Sequence, residues 1–248
     1  MNLGLLYLGG WEWLLWVAIL AILGTSEMLN MLAKTGKPPL AWIGPLLSFV
    51  FVVGAWALPR DGFFYLAGPV FALTMLLLLL NHGQQAAFER WGLTTSASLY
   101  TAFLAAYLIL LRDRPDGLWW MGAALTITWV YDSGAYLVGR RFGRHKLWPA
   151  VSPGKTWEGT IGGLILAVGL SIATVFTLRL SYAEAAGLGL TVAILAQLGD
   201  LVESVIKRQV GVKDTGTFLP GHGGILDRID GLLFSTLGVY YFALLIGR

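Results

Sequence analysis

Eight apolar runs separated by short polar breaks organise the chain, at residues 11–32, 41–58, 63–80, 96–111, 118–138, 160–178, 185–206 and 231–246. Each is long enough, or nearly so, to cross about 30 Å of hydrocarbon at roughly 1.5 Å per residue. The breaks between them carry helix stoppers, among them Lys37-Pro38-Pro39, Pro59-Arg60-Asp61-Gly62 and the run Arg112 to Gly117. This pattern predicts an all-α, polytopic integral membrane protein with about eight transmembrane helices, and no soluble domain or internal repeat.

Composition supports the same class. Of 248 residues 56% are hydrophobic and 12% charged, with eleven Trp and a mean hydropathy of +0.70. So few polar residues could not cover a soluble globule of this size. The absence of cysteine excludes a disulfide, a thiolate nucleophile and a cysteine-based metal site. The amino-terminal residues lack the basic region of a cleavable signal, so the first run is expected to remain a span.

Charge asymmetry then orients the chain. Twelve of the seventeen Lys and Arg residues fall in the loops after runs one, three, five and seven, and five on the other side. The positive-inside rule puts the first set in the cytoplasm and both termini outside. Counted from the outer ends of their runs, Glu27, Asp132 and Asp200 lie about 14 to 16 residues in, roughly 21 to 24 Å across. Asp227 and Asp230, at the start of the last run, can approach that level. The expectation is a polar cavity open to the cytoplasmic side.

The most charged stretch runs from Leu198 to Gly231, with five of the fourteen carboxylates and four of the seventeen basic residues. Asp200, Glu203, Ser204 and Lys207 share one face of a helix. Gly211, Gly216, Gly221, Gly223, Gly224 and Pro220 preclude a regular helix after Val210, which leaves a loop whose N–H groups can approach an anion. Asp227 and Asp230 then open the last helix, where an acidic first turn suits the dipole. A carboxylate inside an apolar helix costs several kcal/mol unless it is paired or liganded, so these residues are functional candidates.

Acidic groups beside a basic, glycine-rich loop suit a hard cation such as Mg2+ and phosphate oxygens. His82, His145 and His222 are scattered and form no H-E-x-x-H motif, which argues against zinc; His222, between glycines, fits a loop or phosphate contact. The segment Ser152-Pro-Gly-Lys155-Thr156 is not a phosphate-binding P-loop, because Pro149 stands where a glycine is required and no strand is predicted before it. Lys155, Thr156 and Glu158 are either phosphate contacts or caps at the mouth of run six.

From Ser204 to Asp230 the chain reads S-x-x-K-R-x4-K-D, a spacer, then H-G-G-x-x-D-R-x-D. At every fixed position this resembles the signature of the phosphatidate cytidylyltransferases, or CDP-diacylglycerol synthases. The upstream segments YDSGAY (Tyr131 to Tyr136), SPGKTWEG (Ser152 to Gly159) and QLGD (Gln197 to Asp200) resemble that family's blocks in the same order, with Glu27 a further match. The resemblance implies one membrane-embedded domain over 1–248, with less characteristic helices over about 1–117 and a catalytic half over about 118–248.

It also implies transfer of a cytidylyl group from CTP to phosphatidate in phospholipid biosynthesis, giving CDP-diacylglycerol and pyrophosphate. Carried over residue by residue, Asp200, Lys207, Arg208, Asp227 and Arg228 are catalytic. Asp200 and Asp227 share a metal, with Asp230 or Glu203 as a supporting carboxylate. Asp132, Lys155, Thr156, Glu203, Ser204, Lys213, Asp214, His222, Gly223 and Gly224 bind substrate. Mg2+ is the implied cofactor, a second cation being left open; the implied partners are CTP, phosphatidate, membrane lipids and a second copy of the chain as a homodimer, with no nucleic acid. The implied location is the inner membrane, multi-pass, with the site facing the cytoplasm. Two alternatives remain: a related CTP-dependent enzyme acting on another lipid, and an ion-coupled carrier. A carrier has no need for the basic, glycine-rich loop and would be expected to show a repeat.

Overall fold

The computed structural model describes residues 3–216 and 223–247. A short helix α1 (Leu3–Leu8) precedes α2 (Gly10–Ala33), α3 (Ile43–Ala57) and α4 (Arg60–Leu80). Then α5 (Ala87–Ser98) runs through a π-helical turn, Leu99–Phe103, into α6 (Leu104–Arg112). α7 (Gly117–Phe142) leads to a hairpin of β1 (Lys146–Trp148) and β2 (Ser152–Thr156). After it come α8 (Trp157–Ala173), α9 (Val175–Leu178), α10 (Tyr182–Val210), a 3-10 turn at Leu226–Arg228 and α11 (Asp230–Leu245). Every apolar run therefore coincides with helix. Among the described residues, four helical stretches are long and apolar enough to cross a membrane: Gly10–Ala33, Gly62–Leu80, Ala87–Arg112 and Tyr182–Val210. Ile43–Ala57, Trp157–Ala173 and Asp230–Leu245 are shorter apolar helices.

Three features depart from the expectation. The fold is all-α as expected except for one unpredicted hairpin: β1 and β2 pair antiparallel, Lys146 opposite Thr156 and Trp148 opposite Ser152. Ser152–Thr156 is thus itself a strand, so the case against a P-loop rests on that and on Pro149, not on a lack of strands. The helix of the fourth run begins at Ala87, nine residues before Ser96, because contacts to the α2–α3 connection hold its polar first turns. Lys37 Nζ pairs with Glu89 at 3.0 Å, Arg90 Nε donates to Pro38 O at 2.8 Å, and Leu40 N donates to Thr94 Oγ1 at 2.8 Å. Finally, Asp227 sits in the separate 3-10 turn, and Asp230 alone begins α11.

The chain folds as two compact units, Met1–Leu110 with Gln209–Arg228, and Leu111–Arg208 with Ile229–Arg248. In the first, Phe51, Phe63, Phe103 and Tyr107 form an aromatic cluster, with Phe103 within 5.6 to 5.7 Å of each of the other three ring centroids. Trp13 satisfies its buried indole N–H on Leu108 O at 3.1 Å. Thr25 on α2 bonds Ser48 on α3 at 2.8 Å and also Thr101 in the π turn, and all three are buried. These hydroxyls fix the rotation of α2, since in an apolar surround each must find a partner.

In the second unit small residues let backbones meet. A Cβ on Gly159 of α8 would lie 2.6 Å from Ala135 O of α7, and one on Gly163 would lie 2.7 Å from Tyr131 O. On α10 a Cβ at Gly189 would lie 2.7 Å from Val168 Cα, and one at Gly199 would lie 2.5 Å from Asp230 O. Close packing of this kind, more than apolar burial, holds helices together in lipid. Gly163→Leu should therefore separate α7 from α8 and destabilise the protein by about 1–3 kcal/mol, measured as a lower Tm in detergent.

Candidate active site

The second unit gathers most of the predicted polar residues. Asp200, on α10, accepts from Lys155 of β2, with Nζ 2.7 Å from Oδ2, and from Ser204 Oγ one turn along, at 3.2 Å from Oδ1. Lys155 is positioned by the hairpin, and the next residue, Thr156, caps α8 by accepting from Gly159 N at 3.1 Å. Thr156 thus has the capping role. Glu203 is fully buried and pairs with Lys207, whose Nζ lies 2.9 Å from its Oε1 in an i, i+4 bridge. A buried carboxylate is tolerated here because it carries its cation with it. Arg208 donates its Nε to Val151 O at 3.2 Å, which ties the end of α10 to the hairpin.

Asp132 of α7 lies in the same unit, and Asp230 at the start of α11 packs its backbone against Gly199 of α10, next to Asp200. Gly199 allows this approach, because its missing side chain leaves room for the Asp230 backbone. Asp230 Oδ1 also accepts from Gly231 N at 2.7 Å. Beside the carboxylates, Gln197 takes Tyr131 OH at 2.5 Å and Thr160 Oγ1 at 3.3 Å on its Oε1. Glu158, which precedes the apolar run starting at Thr160, accepts from the backbone of Arg144 and His145 and from His145 Nδ1 at 2.6 Å. Hydrogen bonds from its own backbone and then from the His145 side chain hold its carboxyl down to about 2. Glu158 therefore stays ionised and keeps the α7–β1 connection folded back on α8.

The first unit contains the other half of the motif. Asp227 Oδ2 accepts three hydrogen bonds, from Thr215 N at 3.0 Å, Thr215 Oγ1 at 2.8 Å and Gly224 N at 2.8 Å. Gly223 has φ near +80°, a conformation that favours glycine, and a Cβ there would lie 2.8 Å from Asp227 Oδ2. Lys213, Asp214 and Arg228 are exposed around this loop. His222 lies outside the described residues. Glu27 of α2 accepts from Ile225 N and Leu226 N, each at 3.0 Å.

For several of these residues the sequence did not reveal the partner or the role. Glu27 was signalled by its charge deep in an apolar helix, but its partners lie about 200 positions away in sequence. Gln197 and Tyr131 stood inside the quoted blocks without a role. The Glu158–His145 link had no signal, since nothing in the sequence announces the hairpin.

Among the described residues no three His, Asp or Glu side chains are drawn together as ligands of one metal ion. The donors present are all hard oxygens. Mg2+ is commonly held by one or two carboxylates together with substrate phosphates and water, so this donor set fits that ion in the presence of a nucleotide.

The sequence matches the Cytidylyltransferase family over residues 1–246. It is 39% identical over 212 residues to a Bacillus subtilis protein named phosphatidate cytidylyltransferase, covering 80% of this chain and 76% of that one. A Staphylococcus haemolyticus protein of the same name is 37% identical over 239 residues, 94% of this chain and 90% of its own. One from Synechocystis, also of that name, is 32% identical over 273 residues, 98% and 92% of the two chains.

Proposed function

The chain belongs to the cytidylyltransferase family, and from that premise we infer that it transfers a cytidylyl group from CTP to phosphatidate, releasing pyrophosphate and forming CDP-diacylglycerol. The match along nearly the whole chain carries this reading. A non-bridging oxygen of the lipid phosphate bonds to the α-phosphorus of CTP, the bond from that phosphorus to the α–β bridging oxygen breaks, and pyrophosphate leaves with the electron pair. The attacking group is already an anion, so no protein nucleophile is needed. Positioning and charge neutralisation supply the rate.

Each residue then has a task. Lys155, Lys207, Arg208, Lys213 and Arg228 hold the triphosphate or the lipid phosphate and offset charge that develops on the leaving group. Ser204, Thr156, Asp132, Glu203, Asp214, His222, Gly223 and Gly224 complete the substrate contacts or support them. Asp200, Asp227 and Asp230 are the residues that would hold Mg2+, which when bound neutralises the triphosphate. Lys155 on Asp200 and Lys207 on Glu203 are cations resting on carboxylates, and an incoming triphosphate competes for them. In the membrane we propose eight spans, a polar cavity opening to the cytoplasm, placement in the inner membrane and assembly as a homodimer. The apolar runs and the asymmetry of Lys and Arg support the spans and the cytoplasmic opening, and family resemblance alone supports the inner membrane and the dimer.

Pyrophosphate release by the detergent-purified protein tests the reaction. Release should require CTP, phosphatidate and Mg2+ together, should not occur with ATP or GTP, and should stop on chelation of the metal. Release with a polyprenyl phosphate in place of phosphatidate would reassign the lipid. No release with any lipid from folded protein would remove the transferase reading.

A further inference from the structure

The 3-10 turn that carries Asp227 and Arg228 begins with amide groups that a helical turn cannot satisfy internally. Glu27 satisfies two of them from another element. Its Oε1 accepts from Ile225 N and its Oε2 from Leu226 N, both at 3.0 Å, and Arg228 N closes the turn on Ile225 O at 3.0 Å. Two glycines make room for the carboxylate. A Cβ on Gly216 would lie 2.6 Å from Oε1, and one on Gly224 would overlap Oε2.

On its other side the same loop is held by Asp227, whose Oδ2 takes Thr215 N, Thr215 Oγ1 and Gly224 N. Gly224 is common to both holds: its N–H bonds Asp227 while its Cα faces Glu27. Two turns of chain, 214–216 and 223–228, are therefore clasped between a carboxylate of α2 and a carboxylate of their own. The buried Thr25–Ser48–Thr101 hydroxyls fix the turn of α2 from which Glu27 projects.

We infer that Glu27 is a positioning residue, which acts through the 223–228 loop to set the Asp227 carboxylate and the Arg228 guanidinium and touches neither nucleotide nor lipid. The inference rests on the transferase reading for the importance of Asp227, but the clasp itself does not. Two donors need two acceptors, which a carboxylate supplies and an amide does not. Glutamine offers one oxygen and turns an NH2 group towards the second N–H. Aspartate is one methylene too short to reach both.

Hydrogen exchange of the full-length protein in detergent, followed by mass spectrometry of the peptide spanning 223–230, reads the clasp directly. Glu27→Gln should speed exchange at Ile225 and Leu226 by about tenfold, the loss of one net hydrogen bond and the exposure of its donor. Exchange elsewhere along α2 should not change. In the transfer assay kcat should fall by roughly 10- to 100-fold. Gly216→Ala should reproduce both effects by pushing the carboxylate away, since the atoms nearest its Cβ all belong to Glu27, and the double variant should be no worse than either single one, because the two changes break one contact. Unchanged exchange at the two amides, acceleration spread over the whole of α2, or single effects that multiply in the double variant would each overturn the inference. If the wild type transfers no cytidylyl group, the exchange measurements still decide the clasp, and the transferase reading fails alone.

Discussion

Asp227→Asn should leave the motif loop closed and lower kcat/KM for cytidylyl transfer by at least about 10^3-fold, a loss of roughly 4 kcal/mol in transition-state stabilisation. The asparagine carbonyl can occupy the place of Oδ2 and keep the bonds from Thr215 and Gly224, so the loop retains its shape. What disappears is the negative charge. If Asp227 serves only to tie the loop, this variant should be nearly silent. Asp227→Ala separates the two roles, because it removes the acceptor as well and leaves three donors without their partner. It should lose activity to the same floor and also lower the Tm, whereas Asn should lower the Tm by only a few degrees. Activity of the Asn variant within about tenfold of wild type would make Asp227 a loop tie and remove it from the metal set.

The contrast between these variants shows what the sequence could and could not reveal. The sequence put Asp227 with Asp230 in the first turn of the last helix, whereas it sits in a separate 3-10 turn before it, although the apolar runs marked the helices around it. Helices in lipid are legible because each apolar run must satisfy its backbone internally. The same logic explains where legibility stopped. Ala87 to Thr95 contains Glu89 and Arg90, so it does not read as part of a span, yet tertiary contacts from Lys37, Pro38 and Leu40 make it helical. The hairpin at 146–156 is too short, and too interrupted by Pro149 and Pro153, to show a strand period. Asp200, Glu203, Ser204 and Lys207 could be assigned to one helix face, and they do pair along it. That Lys155 would be the residue resting on Asp200 could not be read, because a strand brings it there. Long-range pairs such as Glu27 with Ile225 were invisible for the same reason: a single sequence records which groups need partners, not which partners they find.

The Lys155–Asp200 pair gives the second large expected effect. The side chains are 19% and 40% exposed, so the bridge is screened and contributes little to stability as a surface contact. Its value, on the transferase reading, lies in being exchangeable: the ammonium can leave Asp200 for a nucleotide phosphate, which would free the carboxylate to hold Mg2+. Asp200→Asn should therefore lower kcat/KM by at least about 10^3-fold. Lys155→Met should cost about 10^2-fold, mostly as a raised KM for CTP, while lowering the Mg2+ concentration needed for half-maximal rate, because the ion no longer competes with an ammonium for Asp200. Steady-state pyrophosphate release at varied Mg2+ and CTP measures both constants. The opposite movement of the two is the diagnostic. Had Lys155 only braced the hairpin against α10, its removal would leave the Mg2+ requirement unmoved and depress kcat and Tm together. In the Asp200→Asn background, loss of Lys155 should add less than about threefold, since the two residues act on one event and their effects cannot be independent.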